Sequence, residues 1–252
     1  MNDWFRVKKL NKNVWGIGEF NNDEKVISYL VVGSSKALLI DTGMGVEDIK
    51  KEVRNIVGKL PIVVINTHCH FDHVGGNKLF NNLLLFDNSL SIKIAKEGIS
   101  NKIIQMYSSL DGLKGKIDIK KYHVDPFIYS QLCNENLIIN LEPFTFKIIH
   151  TPGHSPDSIC IYEINYGWLF SGDTLYNGPI YLHLKESNIS DYHKSIDKLS
   201  NISRITKIFP GHNSFSFNVN YIDLIKQSLK NKVYQKSTAI NVKSKLKLLI
   251  KS

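Results

Sequence analysis

A span of six residues carries the densest chemistry in the chain: His68, His70, Asp72 and His73 fall within it, in the pattern H-x-H-x-D-H. Imidazole nitrogens and carboxylate oxygens are ordinary ligands of zinc and similar divalent ions. A histidine standing alone is more often structural than a ligand, but three beside a carboxylate reverse that reading. The run before them, Pro61-Ile62-Val63-Val64-Ile65, is short, apolar and β-branched, which predicts a buried strand. Gly75-Gly76 follow, where the backbone can turn sharply. The candidate ligands therefore leave a rigid strand on a loop, a common station for functional groups. In extended geometry Cys69, between two of them, points away and reads as packing.

Three more apolar runs end in the same kind of residue. Residues 146–149 lead to His150 and then Pro152-Gly153-His154; 168–170 lead to Ser171-Gly172-Asp173; 205–209 lead to Pro210-Gly211-His212. If these strand ends share one edge, seven residues converge: His68, His70, Asp72, His73, His154, Asp173 and His212. A tetrahedral zinc takes four ligands. Seven suffice for two ions about 3.5–4 Å apart that share a carboxylate. His150, on its strand, is expected to pack rather than ligate. His123, His183 and His193 fit no ligand pattern and are expected at the surface or a pocket rim.

Hydropathy periodicity predicts further strands at 14–19, 26–32, 36–41, 83–86 and 158–163, and helices at 46–57, 88–99, 101–110, 188–199 and 221–230. The polar stretch 111–128 reads as a loop or lid. Strand runs followed by helices, in both halves, predict the α/β class with a four-layer αββα sandwich. With no low-complexity linker, 1–252 is expected to be a single domain with a basic C-terminal tail from about 231.

The 252 residues are 42% hydrophobic and 22% charged, an ordinary globular balance able to bury a core without disulfides. Three cysteines without a C-x-x-C pair predict reduced thiols and a cytoplasmic setting. No apolar run approaches the roughly 20 residues that span a bilayer, so neither a signal peptide nor a transmembrane segment is expected. The net charge of +9 raises a nucleic-acid reading. However, Arg6, Arg54 and Arg204 are the only arginines, and many of the lysines crowd into the stretch from Lys226 to Lys251. A solvated basic surface, with no nucleic-acid partner, is the expectation.

Taken together, His68-x-His70-x-Asp72-His73, His154, Asp173 and His212, preceded by Asp41-Thr42-Gly43, resemble the metallo-β-lactamase superfamily. The resemblance runs from about Val26 to about Tyr221 and implies an αββα sandwich with metals at one edge. It implies that His68, His70 and His154 hold one ion, that Asp72, His73 and His212 hold a second, and that Asp173 bridges them. Zinc is the expected metal, with manganese or iron as alternatives. Asp41 resembles the family's acid that orients a ligating imidazole.

The stretch Thr151 to Cys160 and the run Leu169-Phe170-Ser171-Gly172-Asp173 are similar to thioester and lactone hydrolases. Tyr176 matches a tyrosine of acyl-homoserine lactonases and of the superfamily's acyl-CoA thioesterases. Ser190-Asp191-Tyr192 and Pro210-Gly211-His212-Asn213 are most similar to the thioesterase branch. The implied activity is attack on the carbonyl of a small acyl substrate by hydroxide held between two ions. Asp72 would relay the proton and Tyr176 would donate to the developing oxyanion. A homo-oligomer is compatible with this reading. The alternatives are a persulfide dioxygenase with one iron, a β-lactam hydrolase and an RNA-processing nuclease. Asp173 stands where the best-known zinc β-lactamases carry cysteine, and the nucleases' extra RNA-binding arm is not evident. The long C-terminal helical domain typical of glyoxalase II is not seen either.

Overall fold

The computed structural model describes residues 4–231, 240–242 and 246–250. Seven strands form the first sheet, in chain order: β1 (Arg6–Lys9), β2 (Val14–Gly18), β3 (Ile27–Val32), β4 (Ala37–Ile40), β5 (Ile62–Ile65), β6 (Leu83–Phe86) and β7 (Gln131–Cys133). β1 to β4 run antiparallel; β4 to β7 run parallel. β8 (Ile138–Asn140), β9 (Thr145–His150), β10 (Ile159–Glu163) and β11 (Trp168–Gly172) belong to a second sheet. β12 (Pro179–Leu182) stands outside it, and β13 (Lys207–Pro210) completes it in the order β13-β11-β10-β9-β8.

Central strands bury both faces, which is why they read as unbroken apolar runs rather than alternating ones. Their alternation is visible only in where each residue goes. On β4, Leu38 and Ile40 face the second sheet, while Ala37 and Leu39 face the helices of the first layer. On β9, Phe146 and Ile148 point between the sheets and Ile149 points to the opposite helix layer. Three separate cores result, one for each gap between four layers, and the αββα architecture follows.

The helices are α1 (Ile49–Val57), α2 (Phe71–Val74), α3 (Ser89–Glu97), α4 (Asn101–Tyr107), α5 (Ile189–Ser200) and α6 (Tyr221–Lys230). α1 starts where the Asp48 side chain accepts from Lys51 N and stops at Gly58, whose φ is 59°. α5 is capped by Asn188 and buries Tyr192, Ile196 and Leu199 at helical spacing. Each such side chain contributes about 1.5–3 kcal/mol by leaving water.

The polar stretch 111–128 is largely irregular, as expected of a loop, but it is well packed. It holds 3-10 turns at Asp111–Leu113 and Ile119–Lys121, and it buries Leu113, Tyr122, Val124 and Phe127. Tyr122 donates its hydroxyl to Met44 O at 2.7 Å, and Val124 pairs with Ile99. Exposed lysines give the segment its polar look, but its apolar residues seat it against the first sheet's helix layer. Of the basic stretch from about 231, the backbone forms β14 (Ile240–Val242) and β15 (Leu246–Ile250), and β15 pairs parallel with β12. Residues 232–239, 243–245 and 251–252 of that stretch lie outside the described residues.

The two sheets touch through main chain at one edge. Ile27 N donates to Gly211 O at 2.7 Å, Val26 bridges His212, and Tyr29 sends its hydroxyl to Pro210 O at 2.8 Å.

Candidate metal centre

That edge is where the four strand ends deliver their polar residues. β5 delivers His68 and His70. The chain then enters α2 at once, with His70 O accepting from His73 N and Val74 N, so Asp72 and His73 ride on a helical turn that periodicity alone did not reveal. The turn after β9 delivers His154. β11 ends at Gly172, whose φ of 48° turns the chain sharply into Asp173; a Cβ there would come within 2.5 Å of Thr67 Oγ1. The turn after β13 delivers His212.

All seven predicted ligands meet. His70 Nδ1 lies 3.0 Å from His68 Nε2 and 2.9 Å from His154 Nε2. His73 Nε2 and His212 Nε2 are 3.3 Å apart. Asp72 Oδ2 is 3.7 Å from the first of these and 3.5 Å from the second. Asp173 sits between the groups: Oδ1 is 3.2 Å from His73 Nε2 and 3.0 Å from His212 Nε2, and Oδ2 is 3.5 Å from His154 Nε2. Three sets have ligand atoms all within 4.8 Å of one another: His68, His70 and His154; His68, His73 and Asp173; Asp72, His73 and His212.

The outward ring nitrogens explain why the inward ones are available. His154 Nδ1 gives its proton to Tyr181 O at 2.7 Å, and His212 Nδ1 to Glu24 O at 2.6 Å. A carbonyl can only accept, so a neutral ring in either place presents a bare Nε2 inward. His73 Nδ1 faces Asp41 Oδ2 at 2.9 Å. Thr67 spends its hydroxyl proton on Asp41 Oδ2, leaving its oxygen to accept from His68 Nδ1 at 3.1 Å. His70 Nε2 donates to Glu186 Oε1 at 2.9 Å. Lone pairs pressed this close repel unless a cation or a shared proton lies among them. Asp173 Oδ1 is also buried and receives no hydrogen bond. The donor set therefore fits divalent cations of the nitrogen- and oxygen-binding kind.

Charge divides the site. Burial, followed by the neighbouring His70, pushes His154 down to about 4, and burial with His73 and His70 pushes His68 well below its ordinary value. Burial alone would lower His212 too, but Asp173 and Asp72 outweigh it and hold it at about 9. His73 is likewise raised well above its ordinary value, burial being overcome by Asp72, Asp173 and Asp41.

Asp41 lies against the outer nitrogen of His73. Its backbone stands at φ 62°, unusual outside glycine, and its carboxylate accepts from Thr67 N, Thr67 Oγ1 and His73. Tyr176 is buried with its ring centroid 5.2 Å from that of His212, and its hydroxyl donates to Pro179 O. His150 packs on Phe86 and contacts Pro156 O, away from the site. His123 and His193 are paired at the surface with Asp125 and Asp197, and His183 lines the cavity rim. Cys69 is buried, as expected.

Two contributors escaped the sequence reading. Asp157 accepts from Cys69 N at 2.9 Å and from Ser155 and Ser91, fixing the backbone between the first two histidines. Its position just past Pro152-Gly153-His154 was a usable signal. Glu186 had none: it is a lone glutamate on a loop 116 residues from His70.

The site floors a cavity of about 250 Å³ walled by Phe71, Tyr107, Tyr176, Tyr181 and Leu184, with Asp23 and Glu24 also on its lining. No lysine or arginine lines it among the described residues.

Comparison with known proteins agrees with this geometry. The model of the metallo-beta-lactamase superfamily matches residues 22–212. Acyl-coenzyme A thioesterase MBLAC2 of Gallus gallus is 28% identical over 226 residues, covering 83% of this chain and 81% of the relative. Hydroxyacylglutathione hydrolase of Pelagibacter ubique is 31% identical over 228 residues, covering 88% of this chain and 77% of the relative. Among solved structures, a metallo-beta-lactamase from Pontibacter korlensis superposes with a TM-score of 0.64 at 16% identity, over 90% of this chain and 99% of that one. Likeness at that identity speaks to the fold alone.

Proposed function

The chain belongs to the metallo-beta-lactamase superfamily, and from that premise we propose that it is a divalent-metal-dependent hydrolase of a small thioester. The observation that carries the reading is the pair of donor triads facing Asp173 at the floor of one cavity. His68, His70 and His154 would hold one ion and Asp72, His73 and His212 the other, zinc being the leading candidate. Ions bound there supply an acidified water, its pKa lowered from about 15.7 toward about 7, and polarise a carbonyl oxygen.

The chain's own groups do the rest. Asp72, with its carboxylate at the cavity floor, orients the attacking water and accepts its proton. Phe71, Tyr181 and Leu184 give the acyl end an apolar wall. The carbon–oxygen bond forms, the carbon–sulfur bond breaks, and the thiolate leaves toward the mouth. With no fixed cation on the lining, anionic parts of the leaving group stay outside the cavity. Tyr176 commits its hydroxyl proton to Pro179 O, so donating to a substrate oxygen requires exchanging that partner. Thioester chemistry is favoured over lactone or β-lactam chemistry because both named relatives are called after thioester substrates.

The test is a panel run beside a metal count: an acyl-CoA, a lactoylglutathione analogue, a homoserine lactone and a cephalosporin. Turnover of one of the thioesters well above the lactone and the cephalosporin, with about two zinc ions per chain, is the expected result. One iron per chain with oxygen uptake, or lactone or cephalosporin turnover without thioester turnover, would overturn it.

A further inference from the structure

We propose that Glu186 is a positioning residue of the first triad: it holds His70 so that Nδ1 faces His68 and His154, and Tyr107 in turn holds Glu186. Four of the five ligand-candidate imidazoles rest their outer nitrogens on backbone carbonyls, as His154 and His212 do, or on the buried side chains of Thr67 for His68 and Asp41 for His73. His70 differs. It is half-buried, and its outer nitrogen depends on a side chain from the far half of the sequence, 2.9 Å away.

Tyr107, the last residue of α4, closes the arrangement. Its hydroxyl donates to Glu186 Oε2 at 3.1 Å, and its ring stacks over His70 with centroids 5.9 Å apart and planes at 26°. Each carboxylate oxygen of Glu186 thus has one fixed donor, and the imidazole is held both at its edge and on its face. An orienting carboxylate fixes a ligand's ring and raises its basicity toward a cation.

The loop that carries Glu186 is itself anchored to the first triad. Ser187 Oγ donates to His154 O at 2.7 Å, and Asn188 N donates to Gly153 O at 2.7 Å. Tyr181, a few residues earlier, receives His154 Nδ1–H. The segment 181–188 therefore touches two of the three imidazoles, His70 through a side chain and His154 through backbone. It ties α4 and the start of α5 to the geometry of one ion.

This inference rests on the metal reading of the first triad, and the experiment separates the two. Metal-stripped protein is titrated with cobalt(II), following its visible absorption. If the unaltered protein takes up no cobalt, the metal reading fails and the inference fails with it. If it does bind cobalt, Glu186→Ala is expected to weaken affinity about 10–100-fold and to change the absorption band. Glu186→Gln keeps an acceptor without the charge and is expected to weaken binding about three- to tenfold with the band retained; Tyr107→Phe should cost about twofold. Unaltered affinity and spectrum in Glu186→Ala overturn the inference while leaving the metal centre standing. A drop in metal-free stability with no change in cobalt binding does the same. If Glu186→Ala does not fold, Glu186→Gln and Tyr107→Phe decide, and wild-type affinity in both overturns it.

Discussion

The two triads at the cavity floor are built on opposite electrostatic principles. The first is three imidazoles with no carboxylate of its own. Burial and mutual repulsion strip protons from His68 and His154, and the one imidazole raised above its ordinary value, His70, leans on Glu186 at the rim. The second surrounds His73 and His212 with Asp72, Asp173 and Asp41, and these hold protons that burial alone would expel. The first triad is thus nearly ready for a cation at neutral pH. The second must exchange protons for one, so the same number of ligands need not mean the same affinity or the same pH response.

Removing the group common to both should do the most damage. Asp173→Ala is expected to lower kcat/KM at least about 1000-fold and to reduce bound metal at both positions, as read by elemental analysis. His70→Ala breaks the first triad alone. Metal at that position and turnover should vanish together, and retention of full metal content with full turnover would refute the division drawn here. Next comes pH. With His212 raised from 6.5 to about 9, its contribution to the metal-free fold is complete below 6.5 and lost as pH rises through 9. With His154 lowered from 6.5 to about 4, its contribution stands above 6.5 and is lost as pH falls through 4.

Denaturation of chelator-treated protein should therefore show an alkaline loss owed to the second triad and an acid loss owed to the first. His212→Gln should flatten the alkaline limb alone. Ion affinity at the second triad should also fall about tenfold per pH unit for each displaced proton as pH drops below 9. Asp41→Asn, which touches only the second triad's His73 directly, should weaken that ion about 10–100-fold in a competition titration. Tyr176→Phe is expected to change kcat least, about tenfold or less. A loss of 100-fold or more would mean that the hydroxyl leaves Pro179 O and serves the reaction.

What the sequence disclosed follows the same divide between dense and scattered chemistry. His68, His70, Asp72 and His73 announce themselves because four ligand types fall within one short run, and His154, Asp173 and His212 because each ends an apolar strand in a glycine-containing turn. The central strands were legible for the reason that makes them central: burial on both faces leaves an unbroken apolar signal. β7 and β8 are three-residue edge strands with exposed positions, so they carry too little pattern to read. In 111–128, surface lysines concealed Leu113, Tyr122, Val124 and Phe127, whose packing depends on contacts with distant chain. Glu186 and Tyr107 were illegible for a different reason. Nothing local marks a residue whose purpose is a partner on another loop.

Neither triad is complete within one half of the chain. The first sheet's half supplies His68, His70, Asp72 and His73, and the second sheet's half supplies His154, Asp173 and His212, beside the main-chain bond from Ile27 to Gly211. Bound cations would act as rivets along a seam between two leaves. Stripping them should relax the join before either leaf, so amide exchange at Ile27 and Asn213, whose N–H groups donate across the seam to Gly211 O and Lys25 O, should quicken while the strand centres stay protected.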